Sequence, residues 1–301
     1  MEKFYASQKS FLKRIIEKNK LSHAYLFIGP EGIGKKEIAT WWAELINKES
    51  SEEMRRQQSL IEVGVNEKGI ISLDQIHEIK EKVKFSASGN YHQIIIINEA
   101  HKMNSYAQNA LLKVLEEPRS KTVFILLSSE KGRLLETVLS RCQILYFGSI
   151  SGSKIRKLFK NKIDKENLEK IVFLCEGRPE KARQLIKNPE QIKKDFQEIE
   201  DLALLLKSPL DKRFEWVKKI TKKARGGEED LNHHLYNFQN YFRWLLLNKS
   251  GLPEKVWPAL EADYSWEEII NVLEKIQYIY SLINNTNINK KIAFDQLILI
   301  T

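Results

Sequence analysis

Cysteine is nearly absent from this sequence, because its 301 residues include only Cys142 and Cys175. Two cysteines cannot build a disulfide framework, and these two lack the close spacing of metal-binding cysteine pairs. Such sparse cysteine is typical of a reducing compartment, so we expect a cytoplasmic protein. We interpret Cys142, which leads into an apolar stretch, as a small buried residue.

Long apolar runs are missing as well. No segment approaches the ~20 apolar residues that a membrane-spanning helix needs. The N-terminal stretch MEKFYASQKSFLKRII has the pattern of an amphipathic helix and lacks the apolar core and cleavage site of a signal peptide. With 42% hydrophobic and 30% charged residues, the composition indicates a globular protein with no membrane contact, long enough for about two or three domains.

The net charge is +9. A basic surface permits contact with nucleic acid, but a solvated basic surface is the commoner explanation. The same two interpretations apply to the basic run KKITKKAR at 218–225. Trp41 and Trp42 could stack on bases, yet their place in a helical pattern favours a core or interface role. The lack of a recognised DNA-reading module disfavours a stand-alone DNA-binding protein.

The stretch IIIINEAHKMNSYAQNALLKVLEEP at 94–118 organises the first half of the chain. Its four isoleucines predict a strand buried on both faces of a parallel sheet. A helix is predicted from about Asn104 until Pro118, which cannot continue it. An apolar strand that ends in two acids is the Walker B pattern, in which the first acid helps to hold Mg²⁺ and the second positions water. Here Asn98 replaces the first acid, and Glu99 is the second.

A second motif begins with the predicted strand at 24–28 and continues as GPEGIGKK before a helix. The order strand, glycine loop, helix is typical of a phosphate-binding loop, whose backbone N–H groups point at an anion that a lysine neutralises. Lys35 is that lysine. The next residue of a working loop is Ser or Thr, whose hydroxyl binds Mg²⁺, but the Lys36 ammonium has only donors and cannot bind a cation. The glycines that would shape the loop are Gly29, Gly32 and Gly34.

Strands alternate with helices over about the first 150 residues, which predicts a right-handed, mostly parallel α/β sheet. From Gly152 onward the patterns are helical only. We therefore predict an α/β domain at 1–150, a small helical domain at 151–189 and an all-helical domain at 190–301. The predicted core of the last domain is Trp216, Phe238, Tyr241, Trp244, Leu245, Ile269, Leu273, Ile276 and Ile279.

Together, HAYLFIGPEGIGKK, NEAHKMNSYAQNALLKVLEEP and LSRCQ, followed by two helical regions, resemble the sliding-clamp loader subunits of bacterial DNA polymerase III, above all the δ′ subunits. The ending NTNINKKIAFDQLILI also resembles the last helix of that family. The resemblance implies an AAA+ domain with a degenerate phosphate loop, a helical lid and a collar that holds a pentameric ring together. That ring opens the sliding clamp and loads it on primed DNA.

The resemblance also implies roles for individual residues. Arg141, in Ser-Arg-Cys, would be an arginine finger that reaches the nucleotide of the neighbouring subunit; the alternative is a surface salt bridge. Glu99 would position water, or remain as a structural acceptor. Ser128 would sense phosphate, or cap a turn. The stretch after Gly177 reads Arg-Pro-Glu180-Lys181-Ala, so no arginine lies where the motor subunits carry their lid arginine. Residues 45–60 lack the four cysteines that bind zinc in many relatives, so no zinc is expected.

These departures predict a subunit that does not hydrolyse ATP. Relative to a working Mg²⁺ site, Asn98 removes a negative charge and Lys36 adds a positive one. The nucleotide pocket is then about two charge units too positive and should bind Mg²⁺ poorly. Lys35 and Lys36 could still hold ATP, ADP or phosphate weakly without a metal ion, and no cofactor is required. The expected partners are the γ/τ motor and δ subunits, primer–template DNA within the ring and, indirectly, the clamp. The alternative is an ATP-hydrolysing AAA+ motor subunit, or a related replication or recombination ATPase.

Overall fold

The computed structural model describes residues 5–48, 59–85, 91–117, 121–227, 230–251, 262–285 and 288–301. The chain forms two compact units: Met1–Ser151 with Gly177–Lys181, and Gly152–Glu176 with Ala182–Thr301. Pro118, the predicted helix terminator, lies outside the described residues. The predicted division of the helical part into domains 151–189 and 190–301 stays a prediction.

The first unit is a five-stranded parallel sheet with the strand order β2-β3-β4-β1-β5. This confirms the predicted parallel α/β fold. The elements are α1 (Ala6–Glu17), β1 (Ala24–Ile28), α2 (Lys35–Ile46), β2 (Leu60–Val63), α3 (Leu73–Phe85), β3 (Gln93–Ile97), α4 (Ser105–Glu116), β4 (Thr122–Ser128), α5 (Glu136–Leu139) and β5 (Gln143–Tyr146), with short 3-10 helices at Ala100–Lys102 and Lys131–Arg133.

Both faces of the sheet are covered, which explains why its central strands have unbroken apolar sequences. Successive side chains of a strand point to opposite faces. Leu26 of β1 therefore packs with α3 and α4 on one face, whereas Tyr25 and Phe27 pack with α1 and α2 on the other. All five residues of β3 are buried, as its isoleucines predicted.

Local sequence signals set several helix starts in this unit. The Asn104 side chain accepts a hydrogen bond from the Ala107 N–H at 2.9 Å and so caps α4 at the predicted position. Ser72 and Gln75 form the reciprocal capping box before α3, since the Ser72 N–H donates to Gln75 Oε1 at 3.0 Å. The helix α5 is a single short turn, Glu136–Leu139.

The described part of the second unit is helical. Its elements are α6 (Gly152–Phe159), α7 (Lys165–Cys175), α8 (Pro179–Lys187, whose first residues belong to the first unit), α9 (Pro189–Leu206), α10 (Leu210–Arg225), α11 (Leu231–Lys249), α12 (Trp266–Asn285) and α13 (Lys290–Leu299). Helix α11 packs against α9 and α12, and α10 packs against α13. Phe238, Tyr241 and Trp244 are buried as predicted, whereas Trp216 is only partly buried. Among the described residues, no helix is long and apolar enough to cross a membrane.

Candidate functional site

Three of the predicted site segments follow neighbouring strands. The glycine loop follows β1, Asn98 and Glu99 follow β3, and Ser128 ends β4, which lies between them. Because the carboxyl ends of parallel strands meet at one edge of the sheet, the fold brings these segments together. The Gly29 N–H donates to the Ser128 carbonyl oxygen at 3.1 Å, which ties the loop directly to β4.

The path of the glycine loop depends on its glycines. A side chain at Gly29 would overlap the carbonyl oxygen of Phe147, so the loop starts where only glycine fits against the strand beside it. Gly34 precedes α2 with φ 93°, a left-handed conformation that favours glycine. Gly32 lies between them, and its carbonyl oxygen accepts hydrogen bonds from the N–H groups of Glu180 at 3.0 Å and Lys181 at 3.4 Å.

Lys35 is the first residue of α2 and points back into the loop. Its Nζ donates to the carbonyl oxygens of Gly29 at 2.5 Å and Pro30 at 2.8 Å. Burial lowers the pKa of Lys35 to about 8, although the carboxylates of Glu31 and Glu99 oppose this shift. The loop therefore holds a partly buried ammonium group among carbonyl oxygens. An anion bound in the loop would lie close to this positive charge.

Lys36 points away from the loop. Its Nζ lies 2.6 Å from Glu62 Oε2 on β2, and both side chains are about half exposed. Glu62 thus offsets the charge that the sequence assigned to the Mg²⁺ pocket. The excess positive charge of the pocket is therefore smaller than the two units expected from the sequence. The loss of the hydroxyl ligand at position 36 is unaffected by this ion pair. Phosphate binding by Lys36 stays a prediction.

The Walker B-like pair lies at the end of β3. The backbone N–H of Asn98 donates to the carbonyl oxygen of Val63 at 2.8 Å, which fixes the strand end. Glu99 has a left-handed backbone with φ 51°, and its Oε1 lies 3.1 Å from the Lys102 ammonium. Glu99 is therefore engaged in an ion pair, which fits the structural interpretation of this residue as well as the catalytic one.

Two residues that the sequence analysis did not single out join this site. Glu31, Glu99 and His101 each place a potential ligand atom within 4.8 Å of the other two. His101 is 4% exposed, and burial lowers its pKa, so the imidazole is neutral. Two carboxylates and an imidazole could hold a transition metal, but the Lys35 ammonium interacts with both carboxylates and would compete with such an ion. Their positions within the two motifs could have indicated both residues, because Glu31 lies in the glycine loop and His101 lies two residues after Glu99.

Ser128 is fully buried and forms a local turn. Its Oγ donates to the Glu130 carbonyl oxygen at 3.0 Å and accepts from the Glu130 N–H at 3.2 Å. These are the hydrogen bonds of a serine turn, which favour the structural alternative over phosphate sensing.

Arg141 lies at the opposite end of the strands from the glycine loop, near the amino end of β5. It lies two residues before the start of β5, where Gln143 pairs with Tyr25 near the start of β1. The phosphate loop follows the carboxyl end of β1, so the length of a strand separates Arg141 from it. The guanidinium donates to Glu116 Oε1 at 2.6 Å and to the Thr137 carbonyl oxygen at 2.9 Å, and its side chain is 34% exposed. Glu116, in the Leu-Glu-Glu-Pro motif, was not predicted as its partner.

The chain is similar in sequence to several known proteins. A family model described as DNA polymerase III, delta subunit, matches residues 5–151. The τ subunit of DNA polymerase III from Bacillus subtilis is 28% identical over 312 residues, which cover 92% of this chain and 54% of that protein. The δ′ subunit from the same organism is 37% identical over 144 residues, which cover 44% of each. The chain is therefore similar to the τ and δ′ subunits of DNA polymerase III.

The fold has a counterpart among solved structures. A DNA polymerase III gamma subunit-related protein from Thermotoga maritima superposes with a TM-score of 0.55 at 22% identity, covering 97% of this chain and 98% of that one. At this identity the likeness shows the fold alone. The chain spans about half the length of the curated relatives it matches.

Proposed function

We propose that this chain is a δ′-type stator subunit of a clamp loader, which does not hydrolyse ATP itself and supplies Arg141 to the nucleotide of a neighbouring subunit. The observation that carries the proposal is the position of Arg141. It lies at the sheet edge opposite the chain's own phosphate loop, so any phosphate that it reaches belongs to another chain. The guanidinium is partly exposed and held in place by Glu116 and the Thr137 carbonyl oxygen.

The phosphate loop supports the lack of hydrolysis. Mg²⁺ prefers oxygen ligands in a nearly ideal octahedron. A carboxylate is missing at Asn98 and a hydroxyl at Lys36, whose ammonium pairs with Glu62 instead. Without the metal ion, phosphoryl transfer loses the main group that neutralises its developing charge. ATP, ADP or phosphate would then bind weakly, through Lys35 and the loop amides.

An arginine finger acts on the rate of a partner rather than on its own site. It stabilises charge on the transferred phosphoryl group, and its loss costs about 10³-fold or more in turnover. In this function the partners are γ/τ motor subunits and a δ subunit, with primer–template DNA inside the ring and the clamp contacted indirectly. The helical residues 190–301 would form the collar of the ring, and residues 151–189 its lid.

The second candidate is an ATP-hydrolysing motor-type subunit, or a related replication or recombination ATPase. One observation favours it: the τ match covers 92% of this chain, whereas the δ′ match covers 44%. The two candidates differ in what the isolated chain does. A motor hydrolyses ATP with Mg²⁺ on its own, and a stator does so only through its partners.

The test is reconstitution of the chain with motor and δ subunits, in native form and with Arg141→Ala. A stator predicts no ATPase in the isolated chain and a loss of about 10³-fold at the adjacent motor site in the variant complex. Arg133→Ala is the matched control, because Arg133 is also an exposed arginine and forms a surface ion pair with Glu130. ATP turnover by the isolated chain at the rate of a motor subunit would refute the proposal.

A further inference from the structure

Residues 177–181 lie in the helical half of the sequence, yet they belong to the compact first unit. They contact the glycine loop through backbone atoms. The N–H groups of Glu180 and Lys181 donate to the Gly32 carbonyl oxygen at 3.0 and 3.4 Å. Both donors lie in the first turn of α8, where N–H groups have no carbonyl partner within their own helix. The loop carbonyl therefore caps α8, and α8 in turn holds the loop at Gly32.

The two backbones approach each other closely at this point. A Cβ atom on Gly32 would lie 3.4 Å from the Lys181 Cβ atom and 3.8 Å from the Arg178 Cβ atom. Gly32 also has φ 70°, a left-handed conformation that favours glycine. Because glycine has a flexible backbone, the two hydrogen bonds restrain the loop at a residue that would otherwise be free to move.

Residues 177–181 are themselves anchored. The Gly177 carbonyl oxygen accepts a hydrogen bond from the Ile150 N–H at 2.9 Å, and a Cβ atom on Gly177 would overlap the Ile150 carbonyl oxygen. Ile150 follows β5 in the first unit. The segment is thus fixed at one end to the chain after β5 and at the other end to the glycine loop.

Other contacts fix the glycine loop on either side of Gly32. The Gly29 N–H donates to the Ser128 carbonyl oxygen at 3.1 Å, and Ile33 is buried in the core cluster that includes α2. Ordering a flexible backbone costs conformational entropy, and a ligand that has to order its own site loses affinity by that cost. With Gly32 held as well, the loop is ordered before an anion arrives.

We propose that the backbone N–H groups of Glu180 and Lys181 are positioning groups for the glycine loop, which hold it in the conformation that binds a phosphate-containing anion. The inference rests on the weak phosphate binding in the proposed function and not on the role of Arg141. Linkage makes the effect reciprocal. If these hydrogen bonds raise the affinity of the loop for an anion, a bound anion strengthens the hydrogen bonds by the same factor.

The test compares the full native chain, labelled with ¹⁵N, with Glu180→Pro, which removes the N–H donor in a first turn, where proline is tolerated. The probe is inorganic pyrophosphate with a chelator of divalent metal ions. Its dissociation constant is measured from the backbone amide signals of Gly34 and Lys35. We expect saturable binding by the native chain and about fivefold weaker binding by Glu180→Pro, the net effect of one neutral hydrogen bond.

Glu190→Pro is the matched control, because α9 also begins with Pro-Glu, at Pro189 and Glu190. It places the same pair of prolines at the start of a helix in the second unit and should leave the affinity for pyrophosphate unchanged. Glu180→Ala removes the carboxylate and keeps the backbone N–H. It should therefore bind pyrophosphate at least as tightly as the native chain does.

Hydrogen exchange supplies a second readout that needs no variant. Saturating pyrophosphate should slow exchange of the Glu180 amide proton about fivefold in the native chain, whereas a purely structural contact would leave that rate unchanged. Unchanged exchange, or equal affinities of the native chain and Glu180→Pro, would overturn the inference and leave the proposed function intact. A native chain that binds no pyrophosphate would refute both the weak phosphate binding and this inference, while the stator role is judged separately by partner ATPase.

Discussion

Restoring the two missing magnesium ligands tests the account of the phosphate loop most directly. The double variant Lys36→Thr, Asn98→Asp returns a hydroxyl and a carboxylate to the motif. At about 4 Å and an effective dielectric constant of about 20, one unit charge interacts with another by about 4 kcal/mol. Desolvation of the new carboxylate offsets a large part of this gain. We expect a net gain in the binding free energy of Mg²⁺-ATP on the order of 1.4 kcal/mol, which corresponds to a tenfold gain in affinity.

The cost to the fold should be small. Lys36 and Glu62 are 53% and 40% exposed, so breaking their ion pair removes under about 1 kcal/mol of stability. We therefore expect the double variant to fold and to bind ATP about tenfold more tightly with Mg²⁺ than with a chelator. The native chain should show no such difference.

The assay is calorimetric titration with ATP, with Mg²⁺ or with a chelator. Lys36→Met with native Asn98 is the control, because it removes the same ion pair and adds no ligand. Two results would refute the reasoning. One is a native chain whose ATP affinity already collapses when Mg²⁺ is chelated, and the other is a double variant that shows no gain with Mg²⁺.

Three further predictions concern single residues. In the reconstituted complex, Glu116→Gln should reduce partner ATPase by no more than about fivefold, because the ion pair of Glu116 with Arg141 is half exposed. An increase in partner ATPase would contradict this and would show that Glu116 restrains the guanidinium. Gly177→Ala should lower the free energy of unfolding in urea by about 1–3 kcal/mol, since φ is 73° and the new methyl group would overlap the Ile150 carbonyl oxygen; an unchanged urea midpoint would contradict this. Between pH 8 and 10.5 the unfolded chain binds more protons at Lys35 than the folded chain does, so the free energy of unfolding should rise with pH there. Urea titrations across this range should show a smaller rise with pH for Lys35→Met than for the native chain. An equal rise in both proteins would contradict the lowered pKa of Lys35.

Much of the site could be predicted because its signals are local. A glycine loop between a strand and a helix and an isoleucine strand before Asn98 and Glu99 are each short and continuous, and each appears in the structure at the predicted residues. Their proximity also follows from a general rule, since carboxyl ends of parallel strands share an edge. The pairing of Lys36 with Glu62 could not be predicted. It depends on how α2 and β2 are placed in three dimensions, and the sequence does not encode that as a pattern.

By itself, the sequence determined the parallel α/β class, the glycine loop between a strand and a helix, and the helical character of the described second half, because backbone preference and apolar period act over a few neighbouring residues. Only the tertiary structure decided where the charges lie. The parallel pairing of β5 with β1 places Arg141 about a strand length from its own loop, and packing places it beside Glu116, which is 25 residues away in the chain. Helix packing in the second unit left Trp216, predicted as core, only partly buried. Long charged and aromatic side chains choose partners by distance and solvent access, and both are set only when the elements have packed.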